Sequence, residues 1–124
     1  MIQVHWPVPG KHVDAYLELE KLVGEGKIRS IGMSNYAVED YKELMEKANI
    51  KPTINQIEVN PFLYRKQTID FFQKEGVEIQ SYRALRDGQS PANVIDCITP
   101  ISHSSRSLSL LKGVLLKDGC RFLP

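Results

Sequence analysis

Lys27-Ile28-Arg29-Ser30-Ile31-Gly32-Met33-Ser34-Asn35-Tyr36 decides how the rest of this chain is read. Apolar residues lead up to Gly32, a polar pair follows at Ser34-Asn35, and an apolar stripe at helical spacing begins at Val38. The pattern predicts a strand over 28–32, a polar turn and then a helix. That is one half of a βαβ unit, and such folds keep their sites in polar residues at the carboxyl ends of parallel strands. The helix stripe is Val38, Tyr41, Leu44, Met45 and Ala48, with Asn49 and Pro52 to end it.

Working outward, the same plan recurs. Ile2-Gln3-Val4-His5-Trp6 alternates apolar and polar and stops at Pro7 and Pro9, which predicts a strand over 2–6. Val13, Tyr16, Leu19, Leu22 and Val23 share a helical face that Gly24 and Gly26 terminate. A third strand is expected from Thr53 or Ile54 to Val59, and a third helix over about 65–75 with Gly76 just beyond it. A fourth strand over 77–82 follows. Strand and helix alternate with short connections, which calls for a parallel sheet with crossover helices.

Residue parity within the strands narrows the architecture. Parallel strands covered on both faces read as continuous apolar runs, and these do not. Gln3 and His5 oppose Ile2, Val4 and Trp6; Ser30, Gly32 and Ser34 oppose Ile31 and Met33. Gln56, Glu58 and Asn60 oppose Ile57 and Val59; Glu78, Gln80 and Tyr82 oppose Val77 and Ile79. One face of each strand suits a helix layer and the other carries small or polar groups. In a flat sheet covered on both sides, each unpaired polar group would cost about 1–3 kcal/mol. A closed barrel points that parity inward, toward the carboxyl rim, so a (β/α) barrel is favoured over a doubly wound sheet. Such a barrel has eight strands and typically about 250 residues. This chain has 124 residues and four strands before residue 83, so the expected fold is α/β: about half of a (β/α)8 TIM barrel with an irregular C-terminal tail. The domain division is 1–88 for the partial barrel and 89–124 for the tail.

Composition adds exclusions. A net charge of +1 gives no electrostatic case for nucleic acid or an anionic membrane surface. No apolar run approaches a membrane span. Cys97 and Cys120 have neither zinc spacing nor a disulfide framework, so a cytoplasmic protein with free thiols and no metal is expected.

Four blocks carry a family resemblance: His5-Trp6-Pro7, Leu19 through Tyr36, Asn55 through Pro61, and Ser81 through Leu85. In this order and spacing the chain from residue 2 to about 88 resembles the aldo-keto reductases. The resemblance implies an NADP(H)-dependent reductase of aldehydes and ketones, acting on a small-molecule carbonyl substrate. It implies that His5 is the active-site histidine orienting the substrate carbonyl and that Trp6 lines the substrate pocket. Ser34, Asn35 and Gln56 correspond to the side chains that hydrogen-bond the nicotinamide carboxamide. Tyr82 corresponds to the aromatic that stacks on the nicotinamide ring. These residue types suit the roles, since a carboxamide needs paired donors and acceptors and stacking needs a flat side chain.

Departures from the family pattern shape the functional expectation. The family's catalytic tyrosine, lysine and aspartate lie on strands before its histidine, and this sequence starts inside the histidine's strand. Its Ile-Pro-Lys-Ser block for the cofactor's 2′-phosphate does not occur here, and the resemblance stops at about Ser90. The expected function is therefore a truncated aldo-keto reductase-like protein, inactive alone. The alternative is an interaction protein, a half barrel that self-associates through open edges or pairs with a full-length reductase. Tyr36 and Tyr82 are the phenols available to replace the lost acid. Plainer readings stand beside these roles. A lone histidine such as His5 at a strand end is more often a satisfied buried residue than a catalytic one. Ser34-Asn35 also reads as a cap of the following helix, Gln56 and Glu58 as a mutually bonded pair, and Tyr82 as core.

Overall fold

The structure is a computed structural model and describes residues 1–60 and 62–84. Four strands, β1 (Ile2–Val4), β2 (Ile31–Ser34), β3 (Ile54–Glu58) and β4 (Glu78–Tyr82), alternate with three helices, α1 (His12–Gly24), α2 (Val38–Met45) and α3 (Lys66–Lys74). All strand pairs are parallel, and the spatial order is β1-β2-β3-β4. Spatial order that follows chain order, without the reversal of a doubly wound sheet, is the arrangement of a barrel arc.

Parity sorts the two faces as the sequence pattern predicts. Ile31, Met33, Ile57, Val59 and Ile79 form one buried cluster with Val13 and Tyr16 of α1, Tyr41 and Leu44 of α2, and Ile69 and Phe72 of α3. All three helices therefore cover a single face. On the other face the register sets Gln3 beside Gly32, Ser34 beside Gln56, Gln56 beside Gln80, and Glu58 beside Tyr82. Gly32 is required there: a Cβ would come within 2.8 Å of Ile54 Cγ1 and 3.1 Å of Gln3 Cγ.

Gly26 and Gly76, at φ +71° and +73°, end α1 and α3 in matching turns. Lys27 N–H reaches Leu22 C=O and Val77 N–H reaches Phe72 C=O, each at 2.9 Å. Both are Schellman motifs. α2 starts differently, with Asp40 Oδ2 accepting the Ala37 N–H at 2.8 Å. Glu20 of α1 accepts the backbone N–H groups of Asn49 and Ile50, and Tyr16 donates its hydroxyl to Ile50 C=O at 2.9 Å. α1 thereby holds the loop that leads into β3.

The second strand departs from the expected span. It runs Ile31–Ser34, not 28–32. Lys27 and Ile28 are held in the turn after α1 by bonds to Leu22 C=O, and pairing to β1 begins at Ser30 C=O. At the other end Asn35 N–H still donates to Gln56 C=O, so Ser34 closes the strand. β1 is likewise shorter than 2–6 and stops at Val4. The tail, the division at residues 88 and 89, Cys97 and Cys120 lie outside the described residues.

Candidate cofactor site at the strand ends

Ser34, the last residue of β2, is buried on the face opposite the helices, and its Oγ donates to Gln56 C=O at 3.0 Å. The same carbonyl accepts Asn35 N–H at 2.8 Å. Asn35 has φ +62°, the left-handed region that asparagine enters more readily than most residues. That turn sends its side chain across the strand ends. Asn35 Nδ2 donates to Ser34 Oγ and to His5 C=O, both at 3.1 Å, and its Oδ1 accepts the Tyr82 hydroxyl at 2.8 Å. One carboxamide thus ties together the ends of β1, β2 and β4. Gln56 Nε2 donates to Gln80 Oε1 at 3.0 Å, which uses one of its two donors.

The residues singled out in the sequence divide into two groups. Ser34, Asn35, Gln56 and Tyr82 converge in one hydrogen-bonded cluster. His5 joins it only through its carbonyl. Its ring is in an exposed residue, tilted at 41° to the Trp6 ring with 5.9 Å between centroids, and Trp6 is 55% exposed. The reading of His5 as a buried histidine fails because β1 has already ended at Val4. The capping reading of Ser34-Asn35 fails because Ala37 is the N-cap of α2. Gln56 and Glu58 do not pair: Glu58 Oε1 accepts from Asn60 Nδ2 at 3.2 Å and lies 3.9 Å from Arg83 Nη1. Strand alternation would turn Arg83, the residue after Tyr82, to the opposite face from Glu58, but its φ of +51° ends the alternation and it approaches Glu58.

The Tyr36 ring lies on the opposite side of the sheet from this cluster. It is 1% exposed within the helix-side core, edge-on to His12 at 5.4 Å. Burial, then Asp40 and Glu43, push its hydroxyl pKa well above the ordinary tyrosine value. The Tyr82 hydroxyl proton is committed to Asn35. Among the described residues no cluster of His, Cys, Asp and Glu could hold a metal ion, and no helix is long and apolar enough to cross a membrane.

Sequence reasoning put Gln80 on the inner parity without giving it a role, and it missed Asn55. Asn55 is fully buried on the helix-side parity and bonds the backbone of Tyr36 twice. A polar residue in an otherwise apolar register was the available signal.

Several known proteins are similar to this chain. An oxidoreductase of Bacillus subtilis, YtbE, is 42% identical over 86 residues, which is 69% of this chain and 31% of that protein. The glyoxal reductase of the same organism is 41% identical over the same shares. The chain thus spans about a third of the length of these relatives. Among solved structures, Gox0644 in its apo form superposes with a TM-score of 0.88 at 26% identity, covering 99% of this chain and 46% of that one. A point mutant of Gox0644, solved in complex with NADPH, gives 0.86. An aldo/keto reductase from Brucella melitensis shares the fold at a TM-score of 0.83. The aldo/keto reductase family profile matches residues 1–109, and the chain belongs to that family.

Proposed function

We propose that this chain is the part of an NADP(H)-dependent carbonyl reductase that holds the nicotinamide end of the cofactor. The observation that carries the reading is the cluster in which Asn35 joins Ser34, the His5 carbonyl and Tyr82 at one end of the sheet. Gln56 keeps a second side-chain donor beyond its bond to Gln80, and the Ser34 hydroxyl and Asn35 amide oxygens keep acceptor capacity for a carboxamide N–H. Tyr82, anchored by its hydroxyl, is a flat surface for the nicotinamide ring, and offset stacking contributes about 0.5–1.5 kcal/mol. Exposed His5 and Trp6 stand beside this cluster as groups for the carbonyl oxygen and the wall of its pocket. When bound, NADPH supplies the hydride; the residues here bind and orient. A relative that carries the name glyoxal reductase supports a small aldehyde or ketone as substrate. The cytoplasm is the compartment that fits, since Cys97 and Cys120 would stay reduced there.

The chain alone binds without turning over, because the buried Tyr36 is a weaker acid than free tyrosine and Tyr82 has committed its proton. The test is titration with NADPH, followed by Trp6 and tyrosine fluorescence, alongside 4-nitrobenzaldehyde reduction. A saturable fluorescence change without NADPH oxidation is expected. Absence of any change at saturating NADPH overturns the binding. Oxidation that scales with protein and is lost in His5→Ala overturns the inactivity.

One observation favours a second reading. Among the described residues β1 and β4 each pair on one side only, which leaves edges that can recruit a second copy or a full-length reductase. Sedimentation showing only folded monomer at micromolar concentration would exclude self-association.

A further inference from the structure

Asn55 occupies a position that the apolar pattern does not explain. It is 0% exposed and lies on the helix-side parity with Ile57 and Val59. Its Oδ1 accepts Tyr36 N–H at 3.4 Å, and its Nδ2 donates to Tyr36 C=O at 3.0 Å. The β2–β3 ladder ends at Ser34 opposite Gln56, so Tyr36 has no strand neighbour to bond. The Asn55 side chain takes that place. Asn35, at φ +62°, is consequently tied to β3 on both sides, through its own N–H on Gln56 C=O and through the Tyr36 peptide groups on Asn55.

We propose that Asn55 is a positioning residue for the site: by clamping both peptide groups of Tyr36 it holds Asn35 in the left-handed conformation that aims its carboxamide at Ser34, the His5 carbonyl and Tyr82. The buried Tyr36 ring, edge-on to His12, anchors the far side of the clamp. Adjacent residues of one strand point to opposite faces. The Asn55-Gln56 dipeptide therefore fixes the turn from behind with one side chain while the next faces the ligand. The functional part of this inference rests on the nicotinamide reading above; the structural part does not.

The experiment compares the unmodified chain with Asn55→Leu, which keeps the volume and removes both bonds. NMR reads the Asn35 side-chain amide, its contacts to the Tyr82 ring, and the methyl shifts of Leu44, Ile69 and Ile79 as a fold control. Loss of the Asn35–Tyr82 contacts with the core methyls unmoved is expected. Persistence of those contacts overturns the clamp. In the unmodified chain, Tyr36 N–H is expected to exchange as slowly as the strand amide of Met33, and fast exchange also overturns the clamp. Should Asn55→Leu not fold, Asn55→Ser, too short to span both groups, is read in the same way. Reduced nicotinamide mononucleotide provides the functional arm, with affinity expected to fall about tenfold for two lost hydrogen bonds. If the unmodified chain binds none, the nicotinamide reading fails while the NMR result still decides the clamp. If both proteins bind equally while the Asn35 contacts are lost, Asn55 positions the turn without serving the ligand, and the proposal falls.

Discussion

The two faces of this sheet are built from alternate residues of the same strands and do opposite things. The helix side is a continuous apolar layer in which Ile31, Met33, Ile57, Val59 and Ile79 meet Tyr16, Leu44, Ile69 and Phe72. Its stability comes from area removed from water, at roughly 25 cal/mol per Å². The inner side holds Ser34, Gln56, Glu58, Gln80 and Tyr82 in a directional network of hydrogen bonds. A typical bond of that kind adds only about 0.5–1.5 kcal/mol net. Apolar packing and directional hydrogen bonding are thus separated at single-residue spacing. The exceptions are informative: Asn55, polar on the apolar side, bonds the Tyr36 backbone just beyond β2, and Ile54, apolar on the polar side, packs against Gly32 within it.

The sharpest way to break the contrast is a truncation on each face. Phe72→Ala empties a fully buried ring and should lower the unfolding free energy by about 3–5 kcal/mol. Gln56→Ala on the inner face should lower it by about 1 kcal/mol. Urea titrations of both variants compare them directly. Equal losses would mean that the inner face carries as much of the fold as the core does.

Gly32 probes the inner face where it is tightest. Gly32→Ala should destabilise by about 1–3 kcal/mol, because the new methyl meets Ile54 Cγ1 at 2.8 Å and Gln3 Cγ at 3.1 Å. Ile54→Ala in the same chain removes the nearer obstacle and should recover part of that loss. A double-mutant cycle without coupling would show that the contact with Ile54 is not the cause.

A smaller effect comes from the helix side at alkaline pH. The Tyr41 hydroxyl is pushed up to about 12 by burial first, then by the Glu75 carboxylate that accepts its hydrogen bond at 3.2 Å. The folded state therefore keeps a proton that the unfolded chain releases near pH 10. The stabilisation is fully present below pH 10 and is lost as pH rises through about 12. Tyr16 and Tyr36, raised mainly by burial as well, act in the same direction. Unfolding midpoints should fall as pH rises from about 10 to about 12, a flat profile being the contrary result. Glu75→Gln should reduce the Tyr41 share only in part, since burial remains.

Legibility followed physical range. Each helix was written in its own stripe, with a terminating glycine after α1 and α3, because capping and amphipathicity are local. α2, which has no such glycine, ends at Met45, short of Ala48 in its expected stripe. Strand ends were misjudged at β1 and β2, because pairing depends on where the neighbouring strand and the preceding turn lie. The Schellman turn at Gly26 delays β2 until Ile31, and no apolar pattern records that. Ser34, Asn35, Gln56 and Tyr82 could be singled out by type and by family resemblance. That Asn35 is the group connecting three strands could not, since its reach depends on a backbone angle of +62°. Arg83 shows the limit of parity, which lapses at the first residue to leave the extended conformation.

By itself the sequence determined the alternation of strand and helix, the split between an apolar and a polar face, and hence a barrel arc in place of a doubly wound sheet. These follow from periodicities of 2 and 3.6, which every residue reports locally. Only the tertiary structure decided that His5 contributes its carbonyl, that Tyr36 is sealed in the core while Tyr82 bonds Asn35, and that Asn55 fastens the turn from behind. Each of those depends on groups 19 to 47 residues apart meeting within hydrogen-bond distance, and such meetings are set by register between strands.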